Sequence, residues 1–304
     1  RDWSVTGVQT CALPIWLSLD IHNPLPSPAD LLLEIDYPIL DDVQAYLLRG
    51  SDLQARFSLG DTLPFAQRPL RHHNFVIPLN LDAGETRTLL LRVATETSVQ
   101  IPLILWPREM FFEQQSTYLL GQGLYFGVIL VMAIYNLFIF ITVRHSSYIY
   151  YALSVVGIAG FLGSMHGLGF QYVWPDWPAL NGWITPASLA LFVGGAAAFT
   201  NSLLQLRKNS PRFYFILLAF ALVNTALMAL CGIIPYRVAI QAGVVIGVLA
   251  SLTALLAGIW MLHKGVRTAR YYVMAYSFLW FGGILLSLNK FGMVPRNFFT
   301  EYAL

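Results

Sequence analysis

The sequence predicts a two-part membrane protein: an N-terminal all-β, jelly-roll-like sandwich followed by an all-α transmembrane bundle. Three observations predict it. Over residues 16–105, apolar and polar residues alternate at period two, the pattern of half-buried strands. From Gly123 to Val143 the run GLYFGVILVMAIYNLFIFITV carries no charge, and at ~1.5 Å per residue it is long enough to cross a ~30 Å hydrocarbon layer. Charge is also divided unevenly, since Asp176 is the only acidic residue between Leu119 and Thr300.

Composition points the same way. Hydrophobic residues make up 57% and charged residues 11% of the chain, against roughly 25% charged in soluble domains. A net charge of +2 is too small to predict a nucleic-acid partner. The opening RDWSVTGVQTCALPI, residues 1–15, lacks the basic and apolar regions of a signal peptide. It resembles translated sequencing-adapter read-through and is set apart from the fold, Cys11 with it. Cys231 then stands alone in an apolar segment, which predicts neither a disulfide framework nor a metal site.

The sandwich domain is expected over residues 16–113. Its apolar sets are Leu17, Leu19 and Ile21; Leu31, Leu33 and Ile35; and Val43, Ala45 and Leu47. Phe75, Ile77, Leu79 and Leu81 follow, then a turn at Asp82–Ala83–Gly84–Glu85. Leu89, Leu91 and Val93, then Val99, Ile101, Leu103 and Leu105, complete the set. Strands punctuated by Pro, Gly and Asp predict antiparallel pairing. Tyr46, Phe57, Phe65 and Trp106 could stack a sugar ring, and the same aromatics could instead fill the core or rest on the membrane. Asp61, Arg68 and Arg71 flank the loop GDTLPFAQRPLR and could grip a polar ligand. The ligand-binding candidates are therefore Asp61, Phe65, Arg68, Arg71 and Trp106. His72 and His73, if on a regular strand, point to opposite faces and cannot share a metal. No nucleophile–base set, phosphate loop or close carboxylate pair stands out, so no catalytic residue, metal or cofactor is predicted.

The membrane domain is expected over 114–304. Six helices are predicted, at about 119–143, 147–168, 183–206, 213–234, 238–263 and 271–288, and a seventh apolar segment begins near Phe298. The reading expects a fragment at both ends. Loops after the first, third and fifth segments carry Arg144, then Arg207, Lys208 and Arg212, then Lys264, Arg267 and Arg270; the alternate loops carry only Arg237, Lys290 and Arg296. Seven basic residues against three put the first set in the cytoplasm and the sandwich outside, in the periplasm of a bacterial inner membrane. Trp174, Trp177 and Trp183 fit an interfacial belt, and their loop could also cap a ligand. Asn136, His166 and Asn224 are the polar groups within the helices, expected to hydrogen-bond between packed helices. Gly243, Gly247 and Gly194–Gly195 predict close helix contacts. No intramembrane carboxylate or basic residue marks an ion path, which weighs against the alternative of a transporter or export component.

The strings GLYFGVILVMAIYNLFIF, SSYIYYALSVV, FTNSLLQLRKNSPR and ARYYVMAYSFLWFGGILLSLNKFGMVPRNFFTEY resemble the seven-transmembrane receptors with diverse intracellular signalling modules. The preceding DIHNPLPSPADLLLEIDYPILDDVQAYLL and GDTLPFAQRP are similar to the type-2 extracellular domain of that family. The resemblance implies a sensor whose outer jelly roll binds a carbohydrate or other small ligand. It also implies a cytoplasmic output module, such as a diguanylate cyclase or histidine kinase, beyond the residues present. The expected partners are that ligand, the lipid bilayer and the missing module, and an output that works in pairs would add a homodimer. No catalytic residue transfers from the resemblance, so the chain itself is not expected to be an enzyme.

Overall fold

Alternation at period two commits one side of each strand to a shared interior, and two antiparallel sheets close over it. The computed structural model describes residues 14–95, 99–230, 233–234 and 236–290, with the backbone alone for 279 and 282–290. Expectations for residues 1–13, Cys11, Cys231 and the segment near Phe298 fall outside the described residues.

The sandwich comprises β1 (Ile15–His22), β2 (Ala29–Ile35), β3 (Asp42–Arg49), β4 (Asp52–Leu59), β5 (Phe75–Leu81), β6 (Thr86–Ala94) and β7 (Leu103–Pro107). One sheet has the order β1-β6-β3-β4 and the other β5-β2-β7, all pairs antiparallel. Four strands on three, among the described residues, differ from the eight strands of a full jelly roll. β1 begins at Ile15, paired with Val93, one residue ahead of the expected boundary. The expectation had no β4, although Leu53, Ala55, Phe57 and Leu59 alternate cleanly; most of this edge strand is exposed, with the interior side filled only from Ala55 onward. Leu33, Ile35, Val43, Leu47, Phe75, Ile77, Leu79, Leu89 and Leu91 form the core between the sheets. At the expected turn, Gly84 takes φ +70° and the Glu85 N–H donates to the Asp82 carbonyl at 3.1 Å.

The first membrane helix, α1 (Arg108–Val143), starts directly after β7. The sandwich therefore ends at Pro107 rather than at residue 113, and residues 108–118 are the first turns of the helix. Phe111, Gln115 and Tyr118 recur at helical spacing on a face turned to the sandwich, which explains why the helix continues beyond the bilayer. Then follow α2 (Ser146–Met165), α3 (Leu168–Tyr172), α4 (Asn181–Leu203), α5 (Leu206–Asn209), α6 (Pro211–Ala229), α7 (Tyr236–His263) and α8 (Arg267–Lys290). Among the described residues, five helical stretches, α1, α2, α4 with its preceding turn, α6 and α7, are long and apolar enough to cross a membrane. α8 is the sixth long helix.

The helices meet through small residues. A Cβ at Gly157 would lie 2.4 Å from the Phe192 backbone nitrogen, and one at Gly195 2.7 Å from that of Ser154, so α2 and α4 touch backbone to backbone. Gly243 and Gly247 are also close to neighbouring helices, whereas Gly194 has open space beside it. Of the three polar groups, Asn224 is fully buried and its Nδ2 lies 3.5 Å from the Leu189 carbonyl of α4, a contact between helices as expected. Asn136 instead donates to the Met132 carbonyl of its own helix at 2.8 Å. His166 follows the last turn of α2 as its C-cap residue and is exposed, so it is not an interhelical group inside the bundle.

Candidate functional site

The sandwich sits on the outer ends of the helices through the segment 60–74, which contains the predicted loop GDTLPFAQRPLR. Its first anchor is Asp61, whose carbonyl accepts a hydrogen bond from Asn181 Nδ2 of α4 at 2.8 Å. Phe65, 1% exposed, lies edge-on to Phe170 of α3 at 5.3 Å between ring centroids, and its N–H reaches the Pro175 carbonyl at 3.4 Å. The Arg71 carbonyl accepts from Gln171 Nε2 at 3.3 Å. The short helix α3 exists because Gly167 takes φ +68° and breaks α2. A Cβ there would meet Pro38 and the His73 carbonyl at 2.7 and 3.0 Å, so the break is pressed against the sandwich.

Arg68 lies at the middle of this seam and is 8% exposed. Its Nη1 donates to the carbonyls of His72 and His73 at 2.8 and 2.7 Å. Its guanidinium lies 4.5 Å from the centroids of both the Phe65 and Phe75 rings, and 5.5 Å from Phe170. Cation–π attraction thus compensates part of the lost hydration of a buried charge, and burial still lowers its pKa to about 10. Beyond Arg68 the chain is not a strand, so His72 and His73 lie side by side at 4.1 Å instead of on opposite faces. The His72 ring lies 5.0 Å from Phe111, and the His73 ring stacks on Tyr118 at 5.0 Å, both on α1. Burial depresses both imidazoles; His73, also beside His72 and His166, falls to about 2, so the pair is neutral.

Beside this joint a cleft of about 370 Å³ opens between the two domains. Asp41, Asp61 and Thr62 line it from the sandwich, and Ser164, Thr185 and Tyr236 from the bundle. Ser164 and Thr185 bond each other at 2.6 Å, and Thr62 donates to the Asp41 carbonyl at 2.6 Å. Burial, then the charge of Asp41, pushes the Asp61 carboxyl up to about 7, with Arg68 opposing. The cleft therefore combines hydroxyl groups, one carboxyl that changes charge near neutrality, and apolar walls from Pro38, Ile39 and Phe170. Such a surface can hold a small ligand rich in hydrogen-bonding groups.

Among the sequence candidates, Asp61, Phe65, Arg68 and Arg71 are brought together at the seam, and only Asp61 lines the cleft directly. Trp106 is elsewhere: its Nε1 donates to Glu34 at 2.8 Å and its ring packs with Leu32, Val76 and Phe111. Phe57 packs against the core, and Tyr46 stacks on Trp16 at 6.2 Å on the outer sheet face. The reading missed Gln171 and Asn181, both in or beside the loop flagged for its tryptophans. The two histidines would point to opposite faces only on a regular strand, and the preceding Arg-Pro-Leu-Arg argues for a turn instead.

A strand-built outer domain, clamped to the outer ends of several membrane-spanning helices around a shared cleft, is the build of a receptor-like membrane protein. Residues 118–304 match the family described as 7TM diverse intracellular signalling, and residues 11–107 match 7TMR-DISM extracellular 2. The chain belongs to this family, a multi-pass membrane protein with its N-terminal domain outside. None of the curated proteins matches the chain.

Proposed function

We propose that this chain senses a small polyhydroxylated ligand, a carbohydrate in the first instance, in the cleft between the sandwich and the bundle. It acts by binding and carries out no chemistry of its own. The observation that supports this reading is the composition of the cleft wall: Asp61 and Thr62 come from one domain, and Ser164 and Thr185 from the other. A ligand touching both sides favours one relative placement of the domains over another, which is the energetic requirement for any signal. In this reading the protein occupies a bacterial inner membrane with the sandwich in the periplasm. A cytoplasmic signalling module follows the bundle and reads its arrangement.

The test is a glycan-array screen of the chain in lipid nanodiscs, followed by thermal-shift titration of each hit. A hit at 100 times its dissociation constant stabilises by about 2.7 kcal/mol. D61N and T185V are each expected to weaken that hit about tenfold, because each removes a charge-bearing or hydrogen-bonding group from an opposite wall. A blank array removes the sugar proposal, and a hit indifferent to both substitutions moves the site out of the cleft.

A further inference from the structure

The segment 60–74 touches the cleft at one end and α1 at the other. At the cleft end, the Asp61 carbonyl is tied to Asn181 of α4. At the far end, the His72 and His73 rings lie on Phe111 and Tyr118, and Gln115 Nε2 is 3.5 Å from His73 Nδ1. Phe111, Gln115 and Tyr118 are spaced four and three apart, so they form one stripe of α1. That helix runs unbroken for 36 residues, about 54 Å at ~1.5 Å per residue, from the sandwich through the membrane. Apart from the short 3-10 turn at Phe65–Gln67, the segment has no regular secondary structure, and such a loop would normally absorb a push at one end before it reached the other. This loop has a brace. One Arg68 nitrogen holds two successive carbonyls, while its guanidinium is packed by rings from both domains, Phe65 and Phe75 from the sandwich and Phe170 from the bundle.

We infer that Arg68 is the positioning residue that makes segment 60–74 rigid enough to carry a displacement at the cleft to the outer turns of α1. The guanidinium is suited to this because its fixed planar shape can stack between aromatic rings while one edge bonds the carbonyls. A lysine keeps the charge but cannot stack in the same way, and its flexible stem leaves the two carbonyls loosely held. This inference rests on the seam being the signalling joint, and it does not require the cleft to take a sugar.

The experiment is a double-mutant cycle read by amide hydrogen exchange of the full chain in nanodiscs, with no ligand added. Asn181→Ala cuts the tie at the cleft end, and exchange is followed at residues 108–118 of α1. With Arg68 present, N181A is expected to speed exchange there at least threefold. In the R68K background the same substitution is expected to change it by less than 1.5-fold. An equal response in both backgrounds, or none in either, overturns the inference. Exchange in β3 and β6 serves as the fold check; should R68K disturb it, F170A takes its place, since it removes the bundle's ring from the brace and leaves the sandwich core whole. A blank sugar array leaves this cycle unaffected, and an uncoupled cycle leaves a sugar hit unaffected, so the two proposals fail separately.

Discussion

The sandwich and the bundle solve the same packing problem with opposite residues. In the sandwich the fully buried side chains are large, Phe75, Ile77, Leu79, Leu89 and Leu91 among them. In the bundle the buried positions are mostly small, with Gly157, Gly195, Ala197, Ala254, Ala257 and Gly258 on the inside. The large residues there face outward, such as Leu124, Phe138 and Phe215. Water rewards burial of large apolar surface, at roughly 25 cal/mol per Å². Lipid tails are as apolar as leucine and give no such reward, so the helices are held by close approach and dispersion. What stabilises one half is therefore removed by making a residue smaller, and what stabilises the other is removed by making one larger.

Two substitution pairs can break that comparison. The largest effect is expected for Ile77→Ala, which empties a site that is 0% exposed and should cost about 2–5 kcal/mol. Leu124→Ala, on a lipid-facing position of α1, should cost under about 1 kcal/mol. Amide hydrogen exchange in detergent at rising denaturant, followed separately over the strands and over the helices, assigns each loss to its domain. Equal losses would mean that α1 is packed by protein where the described residues leave it open. The second pair is Gly195→Ala against Gly194→Ala. The new methyl meets the Ser154 backbone in the first case and open space in the second. G195A should lower bundle stability by about 1–3 kcal/mol. G194A should leave it unchanged or raise it by up to about 1 kcal/mol, since alanine is the better helix former.

The same contrast explains how much could be read without coordinates. Strands were legible because one interior imposes period two on every strand facing it, and even β4 carried the signal in Leu53, Ala55, Phe57 and Leu59. Membrane helices were legible because lipid demands length and apolarity. Their ends were less so: α1 begins eleven residues before its predicted start at 119 because its outer turns pack on protein, not lipid. The seam was half legible. A loop rich in Asp, Arg and Phe between strands stood out as a possible ligand grip, and its Asp61, Phe65, Arg68 and Arg71 lie instead where the sandwich meets the helices. The other side could not be paired with it, since Asp61 and Asn181 are 120 residues apart and both side chains are ordinary for loops. Trp106 was misplaced for a related reason. An aromatic beside a strand end has the same chemistry whether it faces a ligand or, as here, packs beside Phe111 where α1 begins.

A third comparison, with a smaller difference than the Ile77 and Leu124 pair, concerns a place where the two halves share an environment. Asp61 is held at about 7 in the docked state against 3.8 when free. A carboxyl whose pKa is raised binds its proton more tightly in the docked state. Its contribution is therefore fully present below about pH 4 and is lost as pH rises through about 7. His72 and His73 act in the opposite sense. Their pKa values are depressed, so acidification below about 6.5 favours the released, protonated state. Between pH 4 and 6.5 the two slopes oppose each other and the wild-type seam should show a shallow profile. D61N removes one slope and keeps a neutral side chain of the same shape. The difference in seam stability between D61N and wild type should be near zero at pH 4 and reach about 1–2 kcal/mol in favour of D61N by pH 8. Exchange at residues 61–74 measured across that range checks it. A constant offset between the two proteins would show that Asp61 does not titrate in the cleft.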